Sequence, residues 1–238
     1  MSFMPTFIRR FALARSYAKG KGLVQVLAGT IAVTIGCAMA LSRAIAADAP
    51  VKIVALGDSL TAGFGLSREA AFPARLEAAL KAKGHAVEIS NAGVSGDTAS
   101  SGLARLDWSV PEGTDAVIVE LGANDALRGI APELTRAALQ EILRRLNERR
   151  ITVLLAGMRA PPNMGIDYAR AFDAIFPELA AANDVILYPF FLDGVAADRV
   201  LNQPDGLHPT ARGAETIVSG ILPKAEELIA RVKAKRNS

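Results

Sequence analysis

From Val51 onward the chain alternates short apolar runs with longer segments whose apolar residues return every three to four positions. Five runs have the length of strands: residues 51–56, 86–89, 116–121, 151–156 and 185–188. The run 116–121 is almost wholly apolar, which predicts a strand covered on both faces. A sheet with one solvated face would instead alternate apolar and polar residues. The segments between the runs read as helices. Phe72, Leu76 and Leu80 form one stripe in a helix that begins near Phe72-Pro73 and stops at Gly84. A helix opened by Pro132 carries Leu139, Ile142, Leu143 and Leu146 on one face. Residues 102–108 predict a short helix and residues 168–181 a longer one. A last helical region, opened by Pro209, aligns Ile217, Ile221, Leu228, Ile229 and Val232, with a kink at Pro223 and a frayed tail over 233–238. Strands alternating with helices imply parallel pairing through right-handed crossovers. The expected fold is α/β: a three-layer α/β/α sandwich around a five-stranded parallel sheet, of flavodoxin-like order 2-1-3-4-5.

Residues 1–46 follow a different plan. They hold six basic groups and no acid, and basic residues through Lys21 precede an apolar run over 23–41. Ala44-Ile45-Ala46 then offers a small-x-small cleavage pattern, which is the layout of a secretory signal peptide. The expectation is an exported, periplasmic protein whose single domain spans 47–238. The alternative is a membrane anchor kept through the uncleaved leader, although Gln25, Thr30 and Thr34 weaken the apolar run as a span. The formal net charge of +3 belongs to this leader. Without its six basic groups, 21 basic face 24 acidic groups, a net −3. No basic excess remains to neutralise phosphates, which argues against nucleic-acid binding. The single cysteine, Cys37, lies in the leader, and only His85 and His208 occur in the chain. A disulfide or thiolate metal site in the domain is thereby excluded, and no ligand spacing suggests zinc. Neither a cofactor nor a metal is expected. No long coiled-coil pattern is present, so a monomer is expected.

Three predicted strands end in polar, glycine-containing turns: Gly57-Asp58-Ser59, Asn91-Ala92-Gly93 and Gly122-Ala123-Asn124-Asp125. In a parallel sheet these ends share one edge, where ligands bind. Asp205-Gly206-Leu207-His208-Pro209 precedes the last helix and can return to that edge. Together these turns supply what serine hydrolysis needs: a hydroxyl, a base, a carboxylate to orient the base, and donors for the oxyanion. Ser59 is the candidate nucleophile, His208 the base and Asp205 its orienter. The backbone N–H groups of Ser59 and Gly93 and the side-chain amide of Asn124 are the candidate oxyanion donors. Ser59 alone would read as an ordinary turn or cap residue. His85, beside Gly84, reads as a solvated loop histidine, and Asp97 and Asp125 as braces of their own loops. Trp108 and the Phe190-Phe191 pair read as core or cover.

These four blocks, in this order, resemble the SGNH (GDSL-type) hydrolase family. The local text 95–98, 102–106, 119–122, 124–129 and 205–209 is most similar to its bacterial periplasmic thioesterase I, lysophospholipase L1 and arylesterase branch. The resemblance implies Ser59, His208 and Asp205 as a triad and Ser59, Gly93 and Asn124 as the oxyanion hole. It also implies a serine esterase or thioesterase acting on acyl esters or thioesters through an acyl-enzyme. The alternatives are a carbohydrate O-acetyl esterase, as other members of the family are, or a non-catalytic binding protein of the same fold. The loops 126–131 and 158–165 are candidates for an acyl groove, through Leu127, Ile130, Met158 and Pro161. The small-molecule acyl substrate is the only expected partner, and no stable membrane span is expected in the mature form.

Overall fold

The computed structural model describes residues 49–238; the leader and its cleavage site lie outside the described residues. Five strands form one parallel sheet in the order β2-β1-β3-β4-β5. They are β1 (Val51–Gly57), β2 (Val87–Gly93), β3 (Ala116–Glu120), β4 (Thr152–Ala156) and β5 (Ile186–Tyr188). Every residue of β3 and β4 is buried, as their near-continuous apolar runs predict. The edge strand β2 is mostly half-buried or exposed, and its alternation is correspondingly poorer. It also runs four residues beyond the predicted 86–89. Asn91, Ala92 and Gly93 pair in register with Ala55, Leu56 and Gly57, so the polar turn expected there is a continuation of the strand.

The helices sort into two layers. On one face α2 (Phe72–Ala82) packs against the long α9 (Ala211–Asn237). On the other, α6 (Pro132–Glu148) packs against α3 (Ala99–Ala104) and α8 (Ile175–Asn183). The stripes predicted for α2, α6 and α9 are all buried, which places the core on both sides of the sheet. Short helices complete the chain: α1 (Ser59–Ala62), α4 (Leu106–Ser109), α5 (Ala123–Leu127) and α7 (Ile166–Asp173). Among the described residues, no helix is long and apolar enough to cross a membrane.

Several local expectations need correction. The helix predicted over 102–108 is two helices, α3 and α4, separated at Arg105. Leu106 takes the buried position after the break and leaves Trp108 83% exposed, so Trp108 is neither core nor cover. Phe191 is core, edge-on to Phe72, whereas Phe190 lies half-buried under the Arg159 guanidinium. The helix predicted over 168–181 is split into α7 and α8. Pro177 has no N–H for the Asp173 carbonyl, and the break falls there. Thr210, not Pro209, starts α9: its hydroxyl caps the Gly213 N–H. The helix then runs unbroken through Pro223, whose missing bond frees the carbonyl of exposed Ser219 to water. The tail does not fray. Arg236 donates to the carbonyls of Ala49 and Pro50 and to Asp115, holding α9 helical to Asn237.

Candidate active site

The sheet order places a reversal between β1 and β3. The chain leaves β1 toward β2 and returns to the other side of β1 as β3. Such a reversal opens a crevice at the carboxyl ends of the strands. Ser59 opens α1 directly after β1, Gly93 ends β2, and Asn124 lies in α5 directly after β3. The approach is close because two glycines permit it. A Cβ on Gly93 would stand 2.2 Å from the Ala62 nitrogen, and one on Gly57 2.1 Å from the Thr61 hydroxyl. No side chain fits either gap.

His208 reaches the crevice from the loop before α9. Its Nε2 lies 2.9 Å from Ser59 Oγ, and its Nδ1 lies 2.7 Å from Asp205 Oδ2. A carboxylate accepts from Nδ1–H, which leaves the Nε2 lone pair to accept the Ser59 hydroxyl. Asp205 is fixed in turn by the N–H groups of His208 and Leu207, which donate to its Oδ1. Those bonds, with the one to the imidazole, hold its carboxyl down to about 2. The three residues spaced for nucleophile, base and orienter therefore form one continuous hydrogen-bonded chain.

The expected oxyanion donors are brought together, but two of the three, Gly93 and Asn124, are engaged elsewhere. Gly93 N–H donates to Asn91 Oδ1 at 2.9 Å. The Asn124 amide donates to Asp58 Oδ2 and to the Asp97 carbonyl, each at 3.0 Å. A substrate oxygen therefore has to compete with these internal acceptors. Asp97 and Asp125 act across elements rather than within their loops. Asp97 pairs with Arg105, and Asp125 accepts from Ala99 N–H and the Thr135 hydroxyl. Arg105 also donates to the Gly57 carbonyl, bracing the turn that carries Ser59. His85 is not a free loop histidine: its Nε2 lies 3.1 Å from Glu226.

Residues expected to line an acyl groove divide. Leu127 is exposed, and Ile130 and Pro161 are half-buried. The two loops meet where the Met164 side chain covers Gly129. Met158 is only 3% exposed and belongs to the core, so it offers no open lining. It lies two residues beyond the end of β4 and packs in the same buried cluster as that strand.

Two buried carboxyls beside Ser59 were not anticipated. Asp58 caps α1 through Leu60 N–H and also holds Asn124. Burial pushes it up to about 6 against those bonds. Glu120, fully buried at the end of β3, accepts from the Thr61 hydroxyl at 2.7 Å, and its Oε1 has no partner. Burial, and then the neighbouring Asp58, push its carboxyl well above the ordinary 4.5. The sequence signal was a lone acid inside an apolar run. Glu120 holds its proton more tightly in the folded chain than in the unfolded chain, where the ordinary value is 4.5. The folded state therefore binds a proton there more tightly, and stability declines as pH rises above the ordinary carboxyl range. Glu120→Gln removes that contribution. Urea melts at pH 5, 6 and 7 should show a smaller decline for the variant; equal slopes would mean that Glu120 is ionised.

Residues 55–216 match the GDSL-like lipase/acylhydrolase family, and the chain belongs to it. The class so defined is that of carboxylic-ester hydrolases. The thioesterase 1/protease 1/lysophospholipase L1 of Escherichia coli K12 is 41% identical over 183 residues, 76% of this chain and 85% of the relative. The arylesterase of Vibrio mimicus is 37% identical over 185 residues, 77% of this chain and 91% of the relative. Among solved structures, AlinE4, described as an SGNH-hydrolase family esterase, is 48% identical with a TM-score of 0.64. That match covers 75% of this chain and 96% of AlinE4.

Proposed function

We propose that this chain is a serine esterase that hydrolyses acyl esters and thioesters by ping-pong transfer through an acyl-enzyme on Ser59. The observation that carries the reading is the unbroken hydrogen-bond chain from Asp205 through His208 to Ser59 at the strand-end crevice. His208 Nε2 takes the Ser59 proton as Oγ attacks the carbonyl carbon. Asp205, fixed by two backbone N–H groups, holds the ring and stabilises the imidazolium. The developing oxyanion draws Gly93 N–H from Asn91 and one Asn124 N–H from its internal acceptor, and Ser59 N–H completes the set. His208 then protonates the departing alcohol or thiol, and water activated by the same ring releases the acid. The arylesterase and thioesterase names of the relatives support the two substrate types.

The test is covalent. A p-nitrophenyl alkylphosphonate should block hydrolysis of p-nitrophenyl esters and add one phosphonyl group, located on the Ser59 peptide by mass spectrometry. An adduct on another residue, or hydrolysis that persists in fully labelled protein, would exclude Ser59 as the nucleophile.

A further inference from the structure

The proton that His208 takes from Ser59 has to be handed to the departing atom, so the leaving group sits within hydrogen-bond reach of Nε2. The carbonyl oxygen points elsewhere, toward Gly93 and Asn124. What borders His208 therefore borders the leaving group. One exposed aromatic side chain does so. The Phe64 ring lies against the imidazole, with centroids 4.5 Å apart and planes inclined at 35°, yet Phe64 is 50% exposed.

Phe64 is fastened to both halves of the site. Its N–H donates to the Ser59 carbonyl at 3.0 Å. Its own carbonyl accepts from Gln203 Nε2 at 2.6 Å, and the same amide donates to the Pro209 carbonyl at 3.0 Å. The Gln203 N–H donates to the His208 carbonyl at 2.7 Å. Gln203 thus clasps the turn after the nucleophile to the loop that carries the base. The ring keeps its place beside the reacting atoms while one side stays open to water.

We propose that Phe64 forms the leaving-group subsite and selects esters of aromatic alcohols. The proposal rests on the serine-hydrolase reading above. In acylation, the Ser59 Oγ–carbon bond forms and the bond from the carbonyl carbon to the alcohol oxygen breaks. The proton passes from Oγ through Nε2 to that oxygen, so the free alcohol departs without any further reactant. The ring of the alcohol lies against Phe64 during this step, offset or edge-on, where two aromatic rings attract.

Phenyl butyrate and ethyl butyrate form the same butyryl-enzyme, so the ratio of their kcat/KM values reports acylation and the leaving group alone. Phe64→Ala should lower the phenyl-to-ethyl ratio about tenfold relative to wild type, the loss expected when an aromatic contact is removed. Phe64→Tyr should hold the ratio within about twofold, because the ring is kept. Comparing each variant with wild type cancels the intrinsic reactivity of phenol as a leaving group. If Phe64→Ala slows both esters by one factor, Phe64 only supports His208 and the subsite is excluded. If wild type hydrolyses neither ester, or Ser59→Ala hydrolyses both as wild type does, the serine-hydrolase reading itself fails and the subsite falls with it.

Discussion

Ser59→Ala is expected to lower kcat on p-nitrophenyl butyrate by about ten-thousandfold to a millionfold, the range seen when a triad nucleophile is removed. KM and the melting temperature should stay near wild type. The change deletes one oxygen from a residue that opens a short helix. The structure around it does not depend on that oxygen, since Asp58 still caps α1 through Leu60 N–H and Thr61 still reaches Glu120. His208 keeps its bond to Asp205, and its freed Nε2 faces the crevice, where water can satisfy it. Activity is lost because no other group replaces the attacking oxygen. The test reads kcat and a thermal melt on the same preparation. A variant as active as wild type would remove Ser59 from the mechanism, while a collapsed melt would attribute the loss to folding.

Asn124→Ala is expected to lower kcat about a hundredfold to a thousandfold, the usual cost of removing one oxyanion donor. KM should change little, because the amide meets the substrate oxygen fully only once charge has developed on it. Unlike Ser59, this side chain also supports the fold. Its loss leaves Asp58 Oδ2 and the Asp97 carbonyl short of a donor, at about 1–3 kcal/mol for a buried acceptor left unpaired. The melting temperature should therefore fall as well. The bond from Asn124 is one of those holding Asp58 down, so in the variant Asp58 should titrate at a still higher pH. A kcat within twofold of wild type would show that Asn124 only caps Asp58 and leaves the oxyanion to the two backbone donors.

Much of the architecture could be read from the chain because burial on both faces of a parallel strand erases polar positions. The runs at β3 and β4 stand out for that reason, and the strand order agrees with the expected 2-1-3-4-5. The weaker predictions fell where one residue decides between local alternatives. Trp108 is large and apolar, but Leu106 claims the inward position after the break at Arg105. Met158 looked like lining because its loop is irregular, yet it still belongs to the packing around β4. Asp97 and Asp125 bond to partners on other elements, which no local turn pattern encodes.

The site divides in the same way. The sequence alone determined the chemistry available at the crevice. A hydroxyl follows β1, an Asp and a His stand three residues apart before the last helix, and residues 47–238 hold no cysteine and one other histidine, His85. It did so because parallel strands must end on one edge, so polar turns far apart in the chain have to converge. Only the tertiary structure decided what each group is doing at rest. Asn124 and Gly93 are held by internal acceptors, and Glu120 and Asp58 share a buried space beside Ser59. Phe64 stands against the imidazole under the clasp of Gln203. Apart from the local Asn91–Gly93 bond, those arrangements bring together residues tens of positions apart. Such contacts follow from packing, to which the spacing of motifs along the chain is blind.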